Sequence, residues 1–353
     1  MALITSGTAY VDTVAGTNDS SHGGSSGSGA CLTLAYLVAY RLGTLTGPLV
    51  VDCHGSTADT VQPDIGDTAI STTATNTLTI RANAADRAVP GWDANKYRLS
   101  VTGTLLCRIR EGYVNFDGVQ FELIPTGAAN FFTDTARSSS GISVFSGCVF
   151  KGDGGSAYQC REIGGAATRY YINCLVYNLG THGNSYLAFG YGANYLYNCT
   201  VVGAASGPDC VVRNDGATSV ECKNTYAGRT SGSGACFYGT LAGDYNASSD
   251  TSADTKFGTG INSVAVNTTN FVDVTVDGGE DFHLPVGTGS ALYDVGNAPG
   301  GSAPLNYTTD IDGDTVATWC IGVDSRPAAA TFVPYPLSSR ARGGLLVLNG
   351  GLQ

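Results

Sequence analysis

The chain has 353 residues, of which 49 are glycine, and only 13% of them are charged. Four Lys, five Glu and one Met are too few for a coiled coil or helical bundle, while a hydrophobic fraction of 42% is too high for a disordered chain. A formal charge of −11 argues against the Lys- and Arg-rich surface that nucleic-acid affinity needs, and no run of about 18 apolar residues offers a membrane span.

Abundant Thr, Ser, Asn, Tyr and Gly predict an all-β chain with many turns. Thr8-Ala-Tyr-Val-Asp12 reads as a short strand, followed by a Gly- and Ser-rich loop that ends at Gly29. The opening Met-Ala-Leu-Ile-Thr-Ser-Gly lacks the basic and apolar regions of a secretory signal, which predicts synthesis in a cytoplasm. Between residues 31 and 42, Leu34, Leu37, Val38 and Leu42 fall at helical spacing and Gly43 is placed to stop the helix. Such a helix is expected to cap the first coil, because an open sheet edge must be covered. Leu49-Val-Val-Asp-Cys53 then resumes strand, and Thr77–Ala82 and Leu99–Leu106 add two more.

Five segments of the middle share one frame: Phe116-Asp-Gly-Val-Gln-Phe, Phe145-Ser-Gly-Cys-Val-Phe, Tyr171-Ile-Asn-Cys-Leu-Val, Tyr197-Asn-Cys-Thr-Val-Val and Val220-Glu-Cys-Lys-Asn-Thr. Their small apolar anchors, Val119, Cys148, Cys174, Cys199 and Cys222, are separated by 29, 26, 25 and 23 residues. A period in the twenties with one short strand per unit is the signature of a solenoid, in which equivalent inward residues stack into a ladder. Gly or Asn before the anchor suits a tight corner, since both tolerate positive φ. The fold class predicted is a parallel β-helix, with residues 1–74 as its N-terminal lead-in, 75–260 as roughly seven coils at the usual strand spacing, 261–324 as a C-terminal capping region and 325–353 as a linker and docking tail.

Eleven Cys is an odd number, with no Cys-x-x-Cys pair to suggest zinc and no signal to suggest an oxidising compartment. They read as small buried hydrophobes.

The N-terminal strand, Gly16-Thr-Asn-Asp19 and Leu32-Thr-Leu-Ala35 resemble the opening of the pectin-lyase-like right-handed parallel β-helix proteins of bacterial surfaces and phages. Phe271-Val-Asp273, Asp281-Phe-His-Leu284, Ser290–Gly296, Asp310-Ile-Asp-Gly-Asp314 and Ile321-Gly-Val-Asp324 are similar to their closing part. The resemblance spans about residues 8–324. It implies the right-handed fold, and allows either a virion component or a polysaccharide lyase or hydrolase.

Glycan hydrolysis needs two facing carboxylates. Of the coil acids, Asp117 lies in the shared frame and Glu221 near the equivalent place four units on, too far apart to cooperate. Glu162 near His182 is the weak remaining pair. The polygalacturonase pattern implied by the resemblance is not matched: Thr181-His-Gly183 and Arg108-Ile-Arg110 stand in reversed order, and no Asp-Asp occurs. No catalytic residue, cofactor or metal is therefore expected. Asp310–Asp314 reads as a turn whose acids accept backbone amides rather than a calcium loop.

After Asp324 comes a Pro-containing linker, then Arg340, Arg342 and the apolar Leu345-Leu346-Val347-Leu348. Residues 325–353 hold three Arg and no acid, so a +3 tail follows a −14 body. A terminal apolar strand with a basic lead-in is best explained by pairing with an edge on its own body, in a trimer or on another protein. The expectation is a phage virion structural protein, most simply a trimeric capsid decoration or head or tail fibre protein bound to a capsid or tail protein and touching host polysaccharide. The alternatives are a glycan-degrading tailspike and an extracellular bacterial surface adhesin.

Overall fold

Short strands build the molecule, several of them closed by a residue in the left-handed backbone region. The computed structural model describes residues 3–327, apart from 67–69, 88–90, 135–140, 153–158, 163–166, 180–185, 190, 204–209, 231–233, 276–279, 286–289, 299–306, 313 and 325. In chain order the elements are β1 (Gly7–Asp12), α1 (Leu34–Tyr40), β2 (Leu49–His54), β3 (Asp64–Ile65), β4 (Leu78–Ala82), β5 (Arg98–Ile109), β6 (Val114–Asp117) and β7 (Gln120–Asp134). The regular coils follow, with β8 (Ile142–Ser146), β9 (Val149–Lys151), β10 (Gln159–Glu162), β11 (Thr168–Ile172), β12 (Leu175–Leu179), β13 (Tyr186–Phe189), β14 (Ala193–Tyr197), β15 (Thr200–Gly203) and β16 (Cys210–Asn214). The last are β17 (Ser219–Lys223), β18 (Tyr226–Arg229), β19 (Ala235–Tyr238), β20 (Ala242–Asp244), β21 (Ala247–Ser248), α2 (Ser252–Phe257), β22 (Val316–Thr318) and β23 (Arg326–Pro327).

Sheet one has nine strands in the order β1-β2-β4-β6-β8-β11-β14-β17-β20, sheet two has eight in the order β21-β18-β15-β12-β9-β7-β5-β3, and sheet three runs β10-β13-β16-β19. The pairings within these sheets are parallel, so the chain is a parallel β-solenoid. The regular part, from β8 to β21, makes about five turns, and β1, β2, β4 and β6 extend sheet one ahead of it.

The chain passes from sheet one to sheet two through one residue per coil. Gly118, Gly147, Asn173, Asn198 and Asn224 hold φ of +66, +57, +53, +51 and +49, a region Gly and Asn tolerate best. The next residue is the buried anchor, and its carbonyl accepts from the following coil: Leu175 N donates to Cys148, Thr200 N to Cys174 and Tyr226 N to Cys199. Each anchor thiol donates to a carbonyl of the preceding coil, Cys148 to Phe116 at 3.6 Å, Cys174 to Phe145 at 3.3 Å and Cys199 to Tyr171 at 3.3 Å. In the fifth coil Thr225 does this, its hydroxyl donating to Leu196 at 2.8 Å.

Cys222 is therefore not the fifth anchor. It pairs with Leu196 inside sheet one, in the row of Phe116, Phe145 and Tyr171. The corner signal is Asn224, and matching cysteine to cysteine displaced the frame by three residues. The neighbouring interior row is aromatic, with Phe116 on Phe145 at 5.2 Å and Phe145 on Tyr171 at 4.9 Å, rings within 6° of parallel.

At the N-terminal end, the free edge of β1 is occupied by backbone bonds from Tyr10 and Asp12 to Gly23 and Cys31. Helix α1 follows, burying Leu34, Leu37 and Val38; the Thr33 hydroxyl accepts from Tyr36 N, and Asp59 accepts from Leu34 N at 2.7 Å. At the other end α2 packs against β19, β20 and β21, with Phe257 edge-on to Phe237 at 5.1 Å. Its six residues carry too little periodicity to read from sequence.

The segment expected as a C-terminal cap does not lengthen the rod. Its described residues between Val264 and Asp324 form a strap along the outside of sheet two, where Phe271, Phe282, Leu292, Ile311 and Ile321 form a second apolar core with Val149, Leu175, Tyr177, Val202 and Tyr226. The corner asparagines also hold this strap. Asn173 Nδ2 donates to Thr309 O at 2.7 Å, and Asn224 exchanges bonds of 2.6 and 2.9 Å with the backbone of Asn297. The tail residues Arg340, Arg342 and Leu345–Leu348 lie outside the described residues. The last described pair, Arg326–Pro327, lies against β22 of the strap.

Candidate functional site

With sheet two covered by the strap, the partly exposed chemistry gathers on the outside of sheet one and at its corner with sheet three. On the early strands the outward side chains neutralise one another: Arg81 bonds Asp52 at 2.7 Å and Arg87 bonds Asp117 at 2.6 Å. Asp117, the acid nearest a frame position, is thereby committed to an ion pair.

On the later strands, register aligns Val144, Tyr170, Tyr195 and Glu221, one per coil. Tyr170 and Tyr195 stack at 4.7 Å with rings 15° apart. In the adjacent row Tyr197 donates its hydroxyl to the Glu221 carboxylate, and Lys223 pairs in register with Asp244. Burial, then Glu221, raises the Tyr197 phenol well above its usual range, so it remains a donor.

A cleft of about 480 Å³ opens where β17 and β20 begin, lined by Asn214, Ala217, Thr218, Ser219, Thr240 and Leu241. The Asn214 side chain shapes it, accepting from Gly216 N and Ala217 N and donating to Thr240 O at 2.8 Å. Tyr191 and Tyr238, 47% and 49% exposed, stand one residue from Gly192 and Gly239. Gly192 O accepts from Thr218 N at 2.8 Å, and Gly239 lines the cleft. Arg213 lies over the Tyr238 ring at 5.5 Å and bonds Asp215 at 2.9 Å.

The strap carries the other charged cluster. Asp310, Asp312 and Asp324 bring carboxylate oxygens within 4.8 Å of one another, the described acids that are close enough to share a cation. Asp310 Oδ1 accepts from the amides of Asp312 and Asp314, the turn bonding expected of this segment. Burial, then the neighbouring Asp312, pushes Asp310 up to about 7. His283 stands between Asp281 and Asp312, 2.9 Å from the latter. Burial lowers its affinity for a proton, but the two carboxylates outweigh this and push it up to about 10, so it is an imidazolium at neutral pH.

The pair Glu162 and His182 is not assembled among the described residues: Glu162 ends β10, its side chain lies outside them, and so does His182. None of the nine described cysteines is in a disulfide and all are buried, and burial pushes Cys31 up to about 11, so these thiols are packing groups rather than nucleophiles. The aromatic row was missed, although Tyr170 and Tyr195 stand one coil spacing apart in the sequence. The cleft was not legible, because the loops that wall it have no repeat.

No helix among the described residues is long and apolar enough to cross a membrane. No protein-family model matches the chain, and no curated protein is significantly similar to it. Fold and site together define a parallel β-solenoid with a strap clasped to one flank and a polar, tyrosine-bearing corner on another.

Proposed function

We propose that this chain is a structural component of a phage particle, a trimeric capsid decoration or head or tail fibre protein that is held by its basic tail to a capsid or tail protein. The observation that carries the reading is the separation of roles along the chain. The body is acidic, its two solenoid ends are packed by α1 and α2, and its described cysteines are buried, so the coils have a rod's stability and little reactive chemistry. The tail, by contrast, is +3 and carries the apolar Leu345–Leu348 with Arg340 and Arg342 ahead of it. It follows Arg326–Pro327 on the strap, which favours an attachment beside the rod rather than through its tip. The exposed tyrosines then face outward for contact with host glycan.

Deleting residues 337–353 tests this. The truncated rod is expected to stay folded and soluble and to be absent from particles that take up the full chain; a truncation that still enters particles overturns the reading.

A second reading, a glycan-degrading tailspike, is favoured by Glu221 beside the cleft, with Asp244 near its partner Tyr197. New reducing ends or unsaturated products from host capsular or O-antigen polysaccharide would establish it.

A further inference from the structure

We infer that the cleft between the loops preceding β17 and β20 is a binding site for a neutral oligosaccharide. This rests on the glycan-contact part of the reading above and gives it a place and a ligand class.

The first argument is shape. At about 480 Å³ the cleft falls within the roughly 300–1,000 Å³ of small-ligand sites. Its walls are held rigidly, because the Asn214 side chain ties its own loop to Thr240 and Gly192 O fixes the Thr218 amide. A preformed cleft avoids the ordering cost that a flexible loop incurs on binding.

The second argument is the lining. A sugar ring presents hydroxyls around its rim and a C–H face on each side, so its receptors combine hydroxyl and backbone groups with aromatic rings. Here Thr218, Ser219 and Thr240 supply the hydroxyls. Tyr238 ends β19 next to Gly239 of the lining, and Tyr191, two coils earlier, adjoins Gly192, whose carbonyl holds Thr218; each ring is about half exposed. A half-exposed tyrosine next to the lining of a polar cleft offers a ring with a polar edge for a sugar face to stack on.

The third argument is charge. Glu221 lies beside the cleft, Asp215 precedes its wall, and the whole chain carries −11. Of the cations near it, Arg213 bonds Asp215 at 2.9 Å and Lys256 donates to the carbonyl of Gly239 in the cleft wall at 3.1 Å. The net charge of −11 disfavours the approach of uronate, sialyl and sulfated chains, whereas a neutral hexose chain meets no such penalty.

The test uses the full chain on an array of neutral hexose oligomers and their uronate, sialyl and sulfated counterparts, with titration of each positive. Binding of at least one neutral oligomer and none of the acidic ones is expected. Tyr238→Ala and Tyr191→Ala should each weaken it by about five- to tenfold, the scale of one aromatic contact. Ala242→Trp, placed at an exposed position of the cleft rim, should abolish it, and Tyr40→Ala on α1 should leave it unchanged. Melting curves within error of the parent keep these variants interpretable. Absence of any neutral ligand, equal binding of acidic chains, or undiminished binding by folded Tyr191, Tyr238 and Ala242 variants overturns the site. Failure here leaves particle uptake intact, and loss of particle association on its own leaves this site standing.

Discussion

β17 on sheet one reads Ser219-Val-Glu-Cys-Lys223 with half-buried and buried positions in strict alternation, whereas β15 on sheet two reads Thr200-Val-Val-Gly203 with every position buried. The two strands come from successive coils of the same solenoid and have equivalent interiors. What differs is the outside: sheet one carries Tyr, Glu and Lys there, while sheet two carries Val149, Leu175, Tyr177 and Val202 beneath the strap. A strand buried on both faces loses its period of two and reads as a continuous apolar run. The outward residue thus reports whether a face is covered.

The comparison is broken most severely from the interior, which both sheets share. Cys174→Asp places a carboxylate among fully buried groups and should cost several kcal/mol, about 3–5 by analogy with an uncompensated buried charge, with no folded protein or a collapsed melting temperature as the readout. A mild effect would mean that the anchor row is not interior.

The next largest effect is confined to one face. Ile321→Asp charges a fully buried strap residue on sheet two and should release the strap while the coils remain folded. Protease cleavage within 281–324, with a protected product spanning the coils, is the expected result.

A pH series sharpens the same point. Asp310 is pushed up to about 7 from 3.8, so the folded chain holds its proton more tightly than the unfolded chain, and the stability this gives below about pH 4 is lost as pH rises to about 7. His283, raised to about 10 from 6.5, contributes fully below 6.5 and loses that contribution as pH rises through 10. Asp310→Asn should flatten the lower window of a melting-temperature profile and His283→Gln the upper. Asp59 under α1, raised by burial to about 6, shares the lower window, so the difference from the parent is the readout.

A smaller effect tests the corner chemistry. Cys199→Ala removes a buried donor to the Tyr171 carbonyl and should cost about 1 kcal/mol in denaturant unfolding, whereas Cys199→Thr, copying Thr225, should cost less. The smallest is expected on the outside of sheet one, where Tyr195→Ala removes a half-exposed ring and one stacking contact, about 0.5–1.5 kcal/mol.

The solenoid was legible because a corner needs positive φ and its anchor must be small and buried, which leaves Gly or Asn followed by Val or Cys once per coil. Within that frame the register of Cys222 was misread, since chemical identity was weighted over the asparagine that makes the turn. Helix α1 was legible from its apolar spacing; α2 was not, with six residues and two buried positions. The strap's motifs were visible, but not their place. Nothing in Phe271-Val-Asp273 states which sheet it will cover; that information lies in the unbroken apolar runs of β9, β12 and β15. The cleft was invisible for a further reason, since it is made by two loops from successive coils whose sequences share no pattern.

The central claim, that one sheet of this solenoid is sealed by a returning strap that can be released without unfolding the coils, is tested most directly by hydrogen exchange measured peptide by peptide on the parent and on Ile321→Asp. The account predicts that amides of 281–285 and 307–324 are protected in the parent and lose protection in the variant, while those of 193–203 and 219–229 keep theirs. Simultaneous loss in strap and coils, or a strap that exchanges freely in the parent, would contradict it.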